Sequence, residues 1–175
     1  MTLEELRAGF DGLALEAFRL EQEQSYAGVP DPGWDAWQAG QPLPVRTTEN
    51  DEFLNKIAAH VGAGRRVYRV IIMDRPISDY LRYELTAFLM HVAAGEDVYV
   101  VWRETHSDLA ELVEDFWMLD EQLVAIMRYD EDKRFTEVLQ PMEPIETYVA
   151  RRDLAMKYAS PLEQWRDTHK DELSA

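Results

Sequence analysis

The chain has 175 residues, long enough for one domain with a proper core, and is 46% hydrophobic and 30% charged, as soluble proteins are. Its 34 acidic and 18 basic residues give a net charge of −16, which argues against direct contact with nucleic acid or an anionic membrane. The absence of cysteine excludes disulfides, thiol catalysis and thiolate metal sites.

Residues 2–20 read as one helix. Thr2 and Glu5 form a capping-box pattern, and Leu3, Leu6, Phe10, Leu13, Ala17, Phe18 and Leu20 fall near helical spacing, with Gly9 and Gly12 as weak points. Glu16, Arg19, Glu21 and Glu23 are expected on its solvated side. No basic region and apolar run opens the chain, and no stretch approaches the roughly 20 apolar residues of a membrane span, so a cytoplasmic setting is expected.

Residues 25–50 are irregular, broken by Pro30, Pro32, Pro42 and Pro44. Within them Trp34 and Trp37 share one side of a short helix, either as a lid on the core or as a wall of a ligand or partner groove. A second helix follows over 50–62, capped by Asn50 or Asp51 and stopped by Gly62 and Gly64. His60 is read as a favourable charge at its C-terminal end.

Residues 67–73 make the strongest strand, apolar enough at 70–73 to be covered on both faces. A helix from Ser78 or Asp79 to about His91 and a strand over 98–102 complete a right-handed parallel βαβ unit. A helical turn covers 109–113. Strands over 116–119, 123–129 and 135–139, joined by the acidic turns 120–122 and 130–133, form an antiparallel meander. Pro141 and Pro144 introduce the C-terminal helices, with fraying expected over 167–175. The fold class expected is α+β: a mixed sheet of about five strands, packed by N-terminal, crossover and C-terminal helices. The whole chain, 1–175, is read as one domain, with a helical N-terminal region over 1–62, an α+β core over 64–158 and a C-terminal helix and tail over 159–175.

No catalytic spacing stands out. His60, His91, His106 and His169 lack the paired spacings of zinc or di-iron sites, and the acidic turn 130–132 lacks the alternation and glycine of a calcium loop. Gly62 and Gly64 precede a strand, where a phosphate-binding loop must follow one. No cofactor and no metal are therefore expected. The densest polar run is at the exit of the best strand: Arg75, Ser78, Asp79, Tyr80, Arg82 and Glu84. That edge of a βαβ unit is the usual ligand side. These residues, with Trp34 and Trp37, are the candidate ligand- or partner-binding set. The competing reading is a helix cap plus local ion pairs, Asp79 to Arg82 being correctly spaced for one.

Two resemblances bear on function. The order strand, helix, strand, hairpin, strand, helix over 64–158 is similar to half of a phospholipase D-like fold. Its catalytic strand carries a His, any residue, a Lys, four residues and an Asp. Setting Asp120 at the Asp puts Val113 at the nucleophile's position and Asp115 at the lysine's, so the resemblance implies a decayed, non-catalytic half. Residues 18–21, 63–67, 76–84 and 94–97, with Asp115, Phe116, Trp117, Asp120 and Trp165, resemble an actinobacterial single-domain family of unknown function, met beside helix-turn-helix regulators. That resemblance implies an architecture and a regulatory setting. The function expected is a non-catalytic binding or regulatory protein acting through a protein partner, such as a helix-turn-helix regulator, or a small ligand, with no direct nucleic-acid or membrane contact. The alternatives are a hydrolase of phosphodiester-like substrates and a structural homodimer.

Overall fold

The computed structural model describes residues 1–173. Helix α1 (Leu3–Asp11) opens on the capping box, with the Glu5 N–H donating to the Thr2 hydroxyl at 3.1 Å and the Thr2 N–H to the Glu5 carboxylate at 2.7 Å. It ends at Gly12, and the chain turns into strand β1 (Glu16–Glu21). The single helix expected over 2–20 is thus a helix and a strand. The alternation of Phe18 and Leu20 with Arg19 and Glu21 is strand periodicity, with both sets buried on opposite faces.

β1 is the middle of a seven-stranded sheet. The βαβ unit is as expected: β2 (Arg66–Met73), α4 (Asp79–Ala93) and β3 (Asp97–Trp102), with β2 and β3 parallel. The meander of β4 (Asp115–Leu119), β5 (Leu123–Tyr129) and β6 (Phe135–Leu139) is antiparallel. β1 joins the two halves, parallel to β2 and antiparallel to β4, and β7 (Ser160–Pro161) closes the far edge against β3. The order is β6-β5-β4-β1-β2-β3-β7; β1 and β7 are the strands beyond the five expected.

The β4–β5 turn is built around Asp120. Within the three-residue loop 120–122, Asp120 and Glu121 take φ of 54° and 50°, the left-handed centre of a turn closed by the Gln122 N–H on the Leu119 carbonyl at 2.9 Å. The Asp120 carboxylate accepts the N–H groups of Ala14, Leu15 and Glu16 at 2.8, 2.7 and 2.9 Å, tying the entrance of β1 to the hairpin. These bonds overcome partial burial and hold its pKa below the ordinary 3.8.

The sheet has two unlike faces. On one, Phe18, Tyr68, Val70 and Phe116 pack under α5 (Ile145–Tyr158) through Tyr148 and Ala155. Each large side chain so buried contributes about 1.5–3 kcal/mol. On the other face lie two apolar clusters. One joins α1 and α3 (Glu52–Gly62) to Ala17, Val67 and Leu119; the other joins α4 and α6 (Leu162–Thr168) to Ile71, Met73 and Val100. The buried charged residues of β1 and β2, Arg19, Glu21 and Arg69, lie on this second face.

Two further readings change. His60 is not a charge at a helix end: it is buried against the Phe10 ring at 5.0 Å with Arg65 Nη1 3.0 Å from its Nδ1, so burial and then Arg65 hold its pKa down. The tail is docked where fraying was expected. Helix α7 (Lys170–Leu173) returns to α4, where Arg82 Nε donates to the Glu172 carbonyl at 2.9 Å. Ser174 and Ala175 lie outside the described residues. Among the described residues no helix is long and apolar enough to cross a membrane.

Candidate functional site

Strand periodicity puts Arg19 and Glu21 of β1, Arg69 of β2, Asp115 and Trp117 of β4 and Tyr129 of β5 on one face, and the register sets Arg19 beside both Arg69 and Trp117. The result is a buried seam of charge. Arg19 donates from Nε to Glu21 at 3.2 Å and from Nη2 to Asp115 at 2.8 Å and Tyr129 at 3.2 Å. Arg69 donates from Nη1 to Glu21 at 3.1 Å and from Nε to Glu96 at 2.6 Å, and Glu96 also meets His91 Nδ1 at 2.7 Å. Asp115 further accepts the Tyr26 hydroxyl and the Gln22 N–H. Arg19 Nη1 has no hydrogen-bond partner; its guanidinium lies 5.7 Å from the centre of Trp117.

The seam sorts its acids by position. Burial would raise Glu21 and Glu96, but Arg69, with Arg19 on the first and His91 on the second, brings both below 4.5. Asp115 is raised, burial outweighing Arg19. Glu84, reaching the same space from α4, is raised well above its ordinary value by burial and then by Glu21, and its hydrogen bond to Tyr80 does not reverse this. Tyr129 is pushed up to about 12, chiefly by burial. His91 is held low by burial, despite Glu96, so the contact between them is a hydrogen bond of a neutral ring.

The two low histidines give a pH signature. A histidine with a depressed folded pKa contributes stability that is complete above the unfolded value of 6.5 and is lost as pH falls towards the folded value. His60→Gln and His91→Gln are each expected to shrink the loss of stability between pH 7.5 and 5.5, read from urea midpoints. A loss of unchanged size in both variants would refute the assignment.

Two cavities adjoin the seam. One is a cleft of about 700 Å³ between α4 and the 26–46 segment, walled by Trp34, Tyr80 and Tyr83. The other, of about 280 Å³, is lined by Glu21, Arg69, Glu84, His91 and Trp117. Asp31, Arg46, Tyr83 and Ala87 line both. Helical spacing explains the wall: Tyr80, Glu84, Ala87 and His91 follow one another at three or four residues along α4. Helix α2 (Pro32–Gln38) supplies the opposite side. It is capped by Asp31, which accepts the Gly33 and Trp34 N–H groups at 2.9 and 3.2 Å and the Tyr83 hydroxyl at 2.8 Å. Trp34 sits 5.1 Å from the Tyr80 ring and 5.5 Å from Tyr83.

The predicted set divides along the same helix. Trp34, Tyr80 and Glu84 face the cavities, and Trp37 backs Tyr83 at 6.2 Å. Arg75, Asp79 and Arg82 turn to the C-terminal side. Arg75 pairs with Glu104 at 2.7 Å and with Glu172 and lies over Trp102, while Arg82 reaches Asp79 at 3.0 Å. Ser78 caps α4 through the Leu81 N–H at 3.0 Å and donates to the Gln24 carbonyl. The sequence reading missed Arg19, Glu21, Asp31, Arg69, His91 and Glu96. Val113, at the nucleophile's place in the phospholipase D-like alignment, is 62% exposed, while Asp115 is committed to the seam. Among the described residues no group of three or more His, Asp or Glu is arranged to hold a metal ion.

No curated protein matches the chain. A family model described as a domain of unknown function, DUF6879, matches residues 4–167 and so takes in the whole sheet and both cavities; the chain belongs to that family.

Proposed function

We propose that this protein is a non-catalytic binding protein that takes a small ligand into the aromatic cleft and reports its presence to a protein partner. One observation carries the reading: a cleft of about 700 Å³ with aromatic walls opens beside a buried, largely self-paired set of charges. Binding pockets are of this size and combine apolar walls with a few placed polar groups. The resemblance to proteins met beside helix-turn-helix regulators supports a regulatory setting in the cytoplasm, and the charge of −16 favours a protein over nucleic acid as the partner. The phospholipase D-like reading fits as a decayed half, since neither Val113 nor Asp115 can serve phosphoryl transfer.

The test is a thermal-shift screen of small molecules against the wild type and Ala87→Leu. Leucine suits the helix and adds bulk where both cavities meet. A ligand at a hundred times its Kd stabilises by about 2.7 kcal/mol. Compounds are expected to stabilise the wild type, to lose that effect in Ala87→Leu and to be recovered unchanged. Equal shifts in both proteins would remove the cleft from the proposal. One feature favours an enzyme instead: Glu21 and Glu84 line one cavity with pKa values displaced in opposite directions, as in acid–base pairs. Conversion of a bound compound by the wild type, abolished in Glu84→Gln, would establish that reading.

A further inference from the structure

Resting on the cleft as a ligand site, we infer that its ligand is an organic cation, an ammonium or guanidinium on an aliphatic or aromatic body, seated between the Glu84 carboxylate and the rings of Trp34, Tyr80 and Tyr83. Three independent features of the cavity walls converge on this class.

The first is the balance of charge. The seam holds two guanidiniums, Arg19 and Arg69, against three carboxylates, Glu21, Glu96 and Asp115, before Glu84 is counted. The cations that line the cavities are already engaged: Arg69 by Glu21 and Glu96, and Arg46 by Asp51 at 2.7 Å. Among the described residues Glu84 makes no ion pair, and it lines the smaller cavity beside the engaged Arg69. An anion entering here would meet unbalanced carboxylates; a cation would supply the missing charge.

The second is the aromatic wall. Trp34, Tyr80 and Tyr83 have ring centres 5.1–5.8 Å apart, lie at 47–68° to one another and all line the cleft, so its wall carries three π systems. Such faces attract cations, most strongly when desolvated, and leave an anion unsupported. Tyr80 stands one helical turn before Glu84 on α4, so ring and carboxylate share one side of the helix.

The third is Asp31, at the junction of the two cavities. The single Tyr83 hydroxyl approaches both its oxygens at 2.8 Å, and the two helix N–H groups go to Oδ1. Oδ2 therefore retains acceptor capacity for an N–H of the ligand.

Calorimetry at pH 7.5 with matched amine, alcohol and acid on one skeleton decides the class: tyramine, tyrosol and 4-hydroxyphenylacetate, then tryptamine, tryptophol and indole-3-acetate. In at least one series the amine is expected to bind about tenfold or more tighter than the alcohol, with the acid weakest, since a hydrogen bond to a charged group is worth more than a neutral one. Glu84→Gln is expected to remove that preference by weakening the amine more than the alcohol, with its fold checked by circular dichroism. The amine–alcohol comparison is made on the wild type and so does not depend on the variant folding. An alcohol or acid that binds as tightly as its amine, and is lost in Ala87→Leu, would overturn the cation inference and keep the cleft. Binding by no member would count against both. An unchanged amine preference in Glu84→Gln would move the cation away from Glu84 and overturn the seat proposed.

Discussion

Replacing Arg69 with methionine is expected to lower stability by about 3–5 kcal/mol at pH 7, a large share of the roughly 5–15 kcal/mol that holds a domain together. Arg69 is 4% exposed and neutralises Glu21 and Glu96 at once. Methionine keeps much of the stem's volume but not the guanidinium over Phe88, so the loss reads out two under-neutralised carboxylates more than a void. The pH dependence separates the causes. In the wild type both glutamates have folded pKa values below 4.5, so their stabilisation is present above that value and disappears as pH falls through the folded values. The deficit of the variant should therefore be widest near pH 7 and narrow below about pH 4.5. Urea unfolding at pH 7 and pH 4 measures it. A deficit equal at both pH values would assign the loss to packing and sink the electrostatic account.

Glu84→Gln should do the opposite and stabilise the protein by about 1–2 kcal/mol at pH 7.5, within the range of single stabilising changes. The folded pKa of Glu84 is raised, so its contribution is complete below the unfolded value of 4.5 and is lost as pH rises through the folded value. Glutamine is neutral at every pH, nearly isosteric, and equal to glutamate in helix propensity. Its advantage should vanish near pH 4, where the glutamate is protonated in both states. A variant less stable than the wild type at pH 7.5 would show that Glu84 is a satisfied structural carboxylate. A residue that costs stability in the folded protein is what a binding site retains and a scaffold sheds.

Much of the architecture was legible because its elements carry strong periodicity and clear stops. The run Val70, Ile71, Ile72, Met73 can only be a covered strand, and the short loops of the meander allow only antiparallel neighbours. β1 was hidden because Leu13, Ala17 and Leu20 also fit a helix, and because Arg19 and Glu21 look like solvent-facing residues. Period two was present in Phe18, Arg19, Leu20 and Glu21, but it is conventionally read as one wet face and one dry. Here both faces are dry, and the charges satisfy each other across strands far apart in sequence. The site was half legible for a related reason. The run from Arg75 to Glu84 was seen as one cluster, yet a helix sends Tyr80 and Glu84 to one side and Asp79 and Arg82 to another. Only the position of the sheet decides which side is interior.

The place of β1 has a consequence for how the chain comes off the ribosome. The strand made first pairs with strands that begin at Arg66 and Asp115, and its entrance is fastened by a bond from Glu16 to Asp120 across 104 residues. Until the β4–β5 hairpin is synthesised, β1 can pair along only one edge, and its Arg19 lacks the Asp115 carboxylate it meets in the folded protein. Within the sheet β1 is the strand on which the parallel and antiparallel halves both pair. Contacts of such sequence separation close slowly. β1 must therefore stay unaggregated and uncommitted until the chain has grown past the β4–β5 hairpin, and the high density of like charge along the chain is well suited to keep it so.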